Sequence, residues 1–168
     1  MRYPWIALGV CLVVLASGCG GAPKLMAYQP KNQDEAVIAA QLLKIPNGIK
    51  ARSLDLIMQA YAEDVYIGNF HKYLGVASPG APRSISKLEL RDAYFQLFRA
   101  VKELDMDVRD FRLTISGDRA VAEGRTELSI KVERSRGESK RPDLILNDVL
   151  WRLKRGPAGW RIQEEIFQ

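Results

Sequence analysis

Residues 120–132, Ala-Val-Ala-Glu-Gly-Arg-Thr-Glu-Leu-Ser-Ile-Lys-Val, decide the fold. The even positions hold small or apolar side chains apart from one Thr, and most odd positions hold polar or charged side chains. Successive side chains of a strand point to opposite faces of a sheet. The alternation therefore predicts a long strand with one buried face and one solvated face.

Three other stretches share this strand character, and turn residues separate them. The turns are rich in Gly, Ser and Pro, as at residues 116–118 and 156–159, and a polar hairpin tip is expected at residues 135–139. The four stretches together predict an antiparallel meander. In chain order they are Met106 to Ile115, residues 120–132, Leu144 to Lys154 and Trp160 to Phe167.

Two helices are predicted near the start of the domain, from apolar residues at helical spacing. The first is expected to begin at Asp34 as its N-cap and to run to Lys44. Pro46 is expected to stop or kink it, because proline lacks the backbone N–H group that a helix interior uses. The second helix is expected to begin near Ser53 and to extend to Tyr61.

A short strand and a third helix follow. The β-branched and aromatic residues Val65 to Ile67 predict the strand, and Gly75 to Arg83 has the composition of a long loop. Ser86 and Glu89 have the spacing of a capping box, in which each residue satisfies a free amide of the other. This pair predicts a helix that continues to about Glu103, with one broad apolar stripe.

The order of these elements predicts an α+β domain that spans residues 34–168 as a single unit. A curved antiparallel sheet, made of the four-stranded meander plus the short strand, is expected to wrap around about three helices. A sheet curled in this way would have the shape of a cone and would enclose a cavity.

The first residues of the sequence have the pattern of an export signal. Residues 5–17 form an uncharged apolar run behind Arg2, and the run has too few residues to cross a bilayer as a helix. The segment Leu15-Ala16-Ser17-Gly18-Cys19 then resembles the lipobox of bacterial lipoproteins. The resemblance implies that residues 1–18 are a cleaved signal peptide and that Cys19 is acylated.

An acylated Cys19 predicts a protein of the bacterial cell envelope, anchored in a membrane by its lipid. Several acyl chains, such as palmitate, anchor a protein stably where one chain alone is marginal. The residue after the cysteine is Gly20 and not Asp. By the resemblance to lipoproteins, this favours the periplasmic side of the outer membrane if the source has two membranes. Residues 19–33 are expected to be the lipidated cysteine and a flexible tether. Plain secretion and an uncleaved anchor are the alternatives.

Composition limits the chemistry of the mature chain. The sequence has two cysteines, Cys11 in the signal segment and Cys19 in the lipobox, so the mature domain is expected to have no free thiol. His71 is the single histidine, and we interpret it as a surface residue, so no metal site and no cofactor are expected. The net charge of +5 is modest, and the basic hairpin tip lacks aromatic residues, so no nucleic-acid partner is expected.

The mature sequence resembles the nuclear-transport-factor-2-like (SnoaL-like, cystatin-like) superfamily. The resemblance rests on three segments: Leu54 to Ile67 with its Tyr-Ala-Glu-Asp-Val, Ser86 to Val101, and Trp151 to Ile162 with its Trp-Arg-Leu-Lys and Gly-Trp-Arg-Ile. It implies a cone-shaped α+β fold. The superfamily contains isomerases, cyclases, dehydratases and non-catalytic binding or dimerisation modules, so the fold alone does not choose the function.

The catalytic positions of the isomerase branch can be compared with this sequence residue by residue. The resemblance places the general base of that branch at Asn69, and an amide has no useful basicity. It places the oxyanion-hole acid at Val149 or Asp148, which would lie on opposite faces of one strand. The resemblance therefore does not supply the isomerase residues.

Two polar side chains interrupt apolar rows of the predicted sheet. Asn147 shares a face with Ile145 and Val149, and Glu164 shares a face with Ile162 and Ile166. A polar group in such a row needs a partner or a shifted ionisation. The pocket candidates are Asn69, Asn147, Glu164, Tyr61 and Tyr94.

Structural roles are the alternatives for each of these residues. Glu164 could instead pair with Arg125 or Arg152, and Asn147 could be a hydrogen-bonded structural residue. Asn69 could turn the chain into the next loop, and Asp64 is expected to cap the second helix. The two tyrosines could be core residues.

Three functions are compatible with the sequence. The leading hypothesis is a lipid-anchored, non-catalytic domain that binds a small apolar ligand or a protein partner. The rival is an isomerase, cyclase or hydrolase that uses Glu164, Asn147 or Asp148 in the pocket. The third is an assembly module that forms a homodimer, or docks to a complex of the cell envelope, through the free sheet face.

Overall fold

The structure, a computed structural model, describes residues 21–73, 83–131 and 142–168. The lipobox with Cys19, most of the predicted loop at residues 75–83 and the hairpin tip at residues 135–139 lie outside the described residues. The described residues form an α+β fold, as predicted.

Within the described ranges, six strands form one curved sheet. In chain order they are β1 (Tyr61–Gly68), β2 (Ser84–Ile85), β3 (Glu103–Ser116), β4 (Arg119–Lys131), β5 (Asp143–Gly156) and β6 (Gly159–Phe167). Their order across the sheet is β2-β1-β6-β5-β4-β3. The meander from β3 to β6 is antiparallel throughout, which confirms the prediction from alternating residues.

The sheet is mixed rather than purely antiparallel, because β1 lies parallel to β6. Tyr61 pairs with Ile162 at one end of this contact, and Gly68 pairs with Ile166 at the other. The long connection through β2 to β5 brings the chain back beside β1 in the parallel direction, which a short hairpin could not do.

Four helices and one 3-10 helix accompany the sheet. They are the 3-10 helix at Leu25–Ala27, α1 (Gln33–Ala51), α2 (Leu54–Met58), α3 (Phe70–Tyr73) and α4 (Lys87–Ala100). Helices α1 and α4 pack against one face of the sheet, which we call the inner face. None of the helices in the described ranges is long and apolar enough to cross a membrane.

Helix α1 differs from its prediction at both ends. Its N-cap is Asn32, whose side chain accepts a hydrogen bond from the backbone of Glu35, and Asp34 lies in the first turn. The helix also continues through Pro46 to Ala51. Burial of the flanking residues Ile45 (1% exposed) and Ile49 (0% exposed) offsets the one backbone hydrogen bond that proline removes.

Helix α2 is shorter than predicted, because the chain already enters the sheet at Tyr61. Asp64 lies within β1 and is exposed, so it does not cap the helix.

The capping box that was predicted at the start of α4 is confirmed. The backbone amide of Glu89 donates to Ser86 Oγ at 3.3 Å, and the backbone amide of Ser86 donates to Glu89 Oε2 at 2.7 Å.

The residues before α1 lie against the fold and do not form the free tether that was predicted for them. Leu25 is 2% exposed within the core. The backbone amide of Phe111 in β3 donates to the carbonyl oxygen of Pro23 at 2.9 Å. The ring of Tyr28 packs edge-on against Phe111, with ring centroids 4.9 Å apart.

Strand β3 contains a bulge that fits against a glycine of β4. Arg109 pairs with Arg125 and Arg112 pairs with Glu123, so Asp110 and Phe111 together lie opposite Gly124. The bulge moves the buried row from even residues to odd ones. A methyl group on Gly124 would lie 2.9 Å from Val108 Cγ1 and 3.1 Å from the carbonyl oxygen of Arg109.

We predict that Gly124→Ala destabilises the fold by about 1–3 kcal/mol, because the added methyl group meets a backbone atom that cannot move freely. The matched control is Gly156→Ala, since nothing lies within 4 Å of the position its methyl group would take. The control is expected to change stability by less than about 0.5 kcal/mol. Urea denaturation measures both, and equal effects would contradict the close packing at the bulge.

Candidate functional site

Glu165 points into the space between the inner face and the helices, which we call the cone, because strand β6 contains a second bulge. Gln163 is the extra residue between Ile162 and Glu164, which pair with consecutive residues of β5. One extra residue moves every side chain that follows it in the strand to the opposite face of the sheet. Glu165 therefore lies on the inner face, where it is 2% exposed, and Phe167 follows it there.

The predicted placement of Glu164 is wrong for the same reason. The alternation argument put Glu164 in the buried row of Ile162, but the bulge turns it to the opposite face of the sheet, which we call the outer face. There its carboxylate forms a salt bridge with the guanidinium group of Arg152 on β5. Glu164 thus adopts its alternative role as an ion-pair partner.

Two neutral donors hold the carboxyl group of Glu165. The hydroxyl group of Tyr61 on β1 donates to Oε2 at 2.9 Å, and the indole Nε1 of Trp151 on β5 donates to Oε1 at 2.7 Å. No salt bridge reaches this carboxyl group from the described residues. A buried carboxylate without a cation is costly, so the neutral form is favoured.

Burial raises the pKa of Glu165 to about 7, and the hydrogen bonds from Trp151 and Tyr61 oppose this rise by favouring the charged form. Burial also raises the pKa of the phenols of Tyr61 and Tyr94 well above the usual value. Both phenols are therefore neutral near pH 7 and act as hydrogen-bond donors. The carboxyl group of Glu165, in contrast, changes its charge near that pH.

A pair of phenols lies beside this carboxyl group. The hydroxyl oxygens of Tyr73 on α3 and Tyr94 on α4 are 2.9 Å apart, and both residues are buried. The ring of Tyr73 also packs against Phe167, with centroids 4.7 Å apart. The negative charge that Glu165 can carry contributes to the raised pKa of both Tyr73 and Tyr94, after burial. We call Tyr61, Tyr73, Tyr94, Trp151 and Glu165 the acid–phenol cluster.

Asn147 lies on the inner face and is 8% exposed. Its amide nitrogen donates to the carbonyl oxygen of Tyr73 at 3.3 Å, or, with the amide reversed, to that of Lys72 at 3.0 Å. In either orientation the amide fixes the end of α3 to β5. Thr126, which is fully buried, donates its hydroxyl group to the carbonyl oxygen of Asn147 at 3.2 Å. Asn147 thus borders the acid–phenol cluster and positions Tyr73.

Asn69 turns the chain from β1 into α3. Its φ angle of 55° is in the left-handed region, which Asn tolerates better than most residues. Its side-chain amide donates to the carbonyl oxygen of Phe167 at 3.0 Å. The position that the resemblance gives to a general base therefore holds an amide with a structural contact.

The two positions considered for an oxyanion-hole acid lie on opposite faces of β5. Val149 is buried on the inner face, and Asp148 is on the outer face, where it pairs with Arg125 at 2.8 Å. Neither supplies an acid to the cone. Of the five predicted pocket residues, Tyr61 and Asn147 lie on the inner face, and Tyr94 is buried on α4, which packs against that face.

Metal binding has no support within residues 21–73, 83–131 and 142–168, where no three Asp, Glu, His or Cys side chains form a suitable group. His71 is partly buried in α3, and its Nδ1 atom is enclosed without a hydrogen-bond partner among the described residues. The polar chemistry of the cone therefore rests on the acid–phenol cluster and Asn147.

Sequence reasoning missed Glu165, and one signal could have found it. Three polar residues in a row, Gln163, Glu164 and Glu165, interrupt the strand between Ile162 and the apolar pair that ends it. Regular alternation would bury Ile166 with Ile162, whereas a bulge among the three polar residues buries Phe167, the larger apolar side chain. A run of three polar residues before two adjacent apolar residues is therefore compatible with a bulge.

No protein-family model and no curated protein match the sequence. Solved structures do match its fold. The Kfla4162 protein of Kribbella flavida aligns with a TM-score of 0.68 at 17% identity, over 80% of this chain and 89% of that one. A ketosteroid isomerase-like protein of Erwinia carotovora aligns with a TM-score of 0.57 at 18% identity, over 81% and 95%.

A third match is an NTF2-like protein with a cystatin-like fold from Novosphingobium aromaticivorans, with a TM-score of 0.60 at 16% identity over 80% of each chain. These structures show that the chain has the NTF2-like, cystatin-like fold that the sequence resemblance implied. Identities this low establish the fold alone, so the function has to be argued from the residues of this chain.

We predict that Glu165 makes the stability of the fold depend on pH. Its pKa of about 7 in the folded state is above its ordinary value of 4.5, so the folded state binds the proton more tightly than the unfolded state. The resulting stabilisation, about 3 kcal/mol, is fully present below pH 4.5 and is lost as the pH rises to about 7. Urea denaturation at a series of pH values measures it.

The variant Glu165→Gln resembles the protonated side chain and is expected to remove this part of the pH dependence. Glu164→Gln is the matched control, because the neighbouring carboxylate is on the outer face, and it should keep the loss of stability between pH 4.5 and 7. Identical pH profiles for the two variants would contradict the assignment to Glu165.

Proposed function

We propose that this chain is a lipid-anchored protein of the bacterial cell envelope whose cone binds a small, mainly apolar ligand without converting it. The lipid is attached to Cys19, and in a cell with two membranes the domain lies on the periplasmic side of the outer membrane. The lipobox-like segment supports the anchor, and the inner face of the sheet supports the ligand.

The phenol pair carries the proposal for the ligand. The hydroxyl groups of Tyr73 and Tyr94 carry one proton each. One of these two protons is donated in the hydrogen bond between the two hydroxyl groups. The other proton has no acceptor among the described residues, so it is free to bind an oxygen atom of a ligand. Phe98 packs against the ring of Tyr94, with centroids 6.1 Å apart, and Phe70 lies 5.7 Å from the ring of Tyr73. These rings favour an apolar body with one carbonyl or hydroxyl oxygen.

Binding is favoured over catalysis by the positions of the carboxylates. Asp148 and Glu164 are paired with arginines on the outer face, and Asn69 stands where the isomerase branch would have its base. Glu165 is on the inner face, but both of its oxygens already accept hydrogen bonds. These bonds and its 2% exposure hold the carboxyl group away from a substrate, whereas a general base has to reach the proton that it removes.

Acid–base catalysis by Glu165 is the second candidate. The observation in its favour is the pKa of about 7, which suits a group that gives and takes protons near neutral pH. In that case Glu165→Gln would hold an unconverted substrate, and the molecule recovered from the variant would differ from that recovered from the native chain in mass or, for an isomerisation, in its fragmentation spectrum.

The test is native mass spectrometry of the full chain extracted from membranes of the organism that makes it. We expect cleavage before Cys19, acyl chains on Cys19 and a bound small molecule. Removing both hydroxyl groups of the phenol pair in the double variant Tyr73→Phe, Tyr94→Phe should lower retention of that molecule about 2–10-fold, the effect of one lost hydrogen bond to the ligand.

Tyr66→Phe is the matched control, because Tyr66 is a 50% exposed tyrosine in β1. It should retain the ligand as the native chain does. Replacing a buried hydroxyl pair by two apolar rings of the same shape is nearly neutral for folding, so lost retention reports on the site. Equal retention by the double variant and the control, or an empty native chain, would contradict ligand binding at the phenol pair.

A further inference from the structure

The segment that leads from Cys19 into the domain is fixed to the edge strand β3. The ammonium group of Lys24 lies 2.5 Å from Oδ2 of Asp107. A methyl group on Gly21 would lie 3.8 Å from Oδ1 of Asp110, so Gly21 is beside the β3 bulge. Together with buried Leu25, these contacts hold the chain against β3 from Gly21 onward.

Cys19 precedes Gly21 by two residues. Two residues of extended chain span at most about 7 Å, so acyl chains on Cys19 would begin close to the β3 bulge. A long flexible tether would let the domain adopt any orientation at a membrane. A short segment that is fixed to β3 instead requires the membrane to lie on the side of the domain where β3 is.

The outer face of β3, β4 and β5 is the surface next to this attachment point. Two leucines of β5 project from it, Leu144 at 59% exposed and Leu146 at 53% exposed. Leu146 lies opposite Glu127 of β4, and Glu127 in turn pairs with Arg109 of β3 at 2.7 Å. Adjacent strands are about 4.8 Å apart, so the leucines lie about 10 Å from the edge to which the segment is fixed.

Arginine side chains accompany the leucines on this surface. Arg109 and Arg125 are each 49% exposed, and Arg112 is exposed beside them. Arg112 forms no salt bridge within the described part of the chain. Guanidinium groups suit the oxygens of phosphate, and exposed leucines suit the boundary between headgroups and acyl chains.

We propose that the outer face of β3, β4 and β5 rests on the lipid surface that holds Cys19. Leu144 and Leu146 contact the boundary between headgroups and acyl chains, and Arg112, which forms no salt bridge within the described part of the chain, contacts lipid phosphates. The inference rests on the proposed acylation of Cys19. It adds to the proposed function a fixed orientation, in which the acid–phenol cluster is on the side of the sheet that faces away from the membrane.

The test uses the expected absence of other thiols from the mature chain. A single cysteine is introduced by Leu146→Cys and, as the matched control, by Leu88→Cys. Leu88 is 66% exposed at the start of α4, which packs on β1, four strands away from β3. Each lipidated protein is labelled with a fluorophore and placed on vesicles of phosphatidylethanolamine and phosphatidylglycerol that contain a doxyl-labelled quencher lipid.

We expect the quenching to be at least about threefold stronger at position 146 than at position 88, because quenching by doxyl groups requires contact with the lipid region. Equal quenching at the two positions overturns the orientation. Protection of position 146 from the lipid, with self-quenching that grows with protein density, assigns the face to a second copy of the chain and also overturns it.

Two further experiments distinguish a failure of this inference from a failure of the proposed function. The intact mass of each labelled protein reports acylation: an unmodified Cys19 overturns the anchor and the orientation together, whereas an acylated chain with equal quenching overturns the orientation alone. Leu25→Ala, which removes the buried contact of the fixed segment, should bring the quenching ratio towards one, and Met26→Ala (65% exposed) should not. An unchanged ratio in Leu25→Ala would show that the segment does not set the orientation.

Discussion

The hydrogen bonds from Tyr61 and Trp151 to the carboxyl group of Glu165 join three adjacent strands of the sheet, β1, β6 and β5, and the interior of the cone depends on them. Removing either donor would leave a buried acid partly unsatisfied. Two irregularities of the sheet lie at this contact. The bulge at Gln163 turns Glu165 inward, and a methyl group on Gly124, opposite the bulge of β3, would lie 3.8 Å from the indole ring of Trp151.

Much of the fold could be predicted because local patterns encode it. Alternation gave the four long strands, and the spacing of Ser86 and Glu89 gave the start of α4. The parallel contact between β1 and β6 has no local signal, since it joins segments about a hundred residues apart. The placement of Glu165 was missed because Gln163, Glu164 and Glu165 are all polar, and composition does not tell which of them is the extra residue.

The candidate site was predictable in part for related reasons. Tyr61 and Tyr94 were predicted as pocket residues, but Tyr73 was not, because a four-residue helix is too short to show a periodic pattern.

The two faces of the sheet carry different kinds of side chain. The inner face carries neutral donors and one titratable acid, and the outer face carries paired charges and exposed leucines. The three solved structures compared above are under 20% identical to this chain, so the function has to be argued from these side chains and not from the fold.

The ionisation of Glu165 tests the account most directly, because burial of the carboxyl group without a cation, against the opposing hydrogen bonds from Trp151 and Tyr61, implies that it stays protonated into the neutral range. Carbon-13 NMR can follow the side-chain carboxyl carbon of Glu165 through a pH titration, with Glu165→Gln used to assign the signal. We predict a midpoint of about 7. A midpoint near the ordinary value of 4.5 would place this carboxyl group in contact with water and would contradict the proposed interior of the cone.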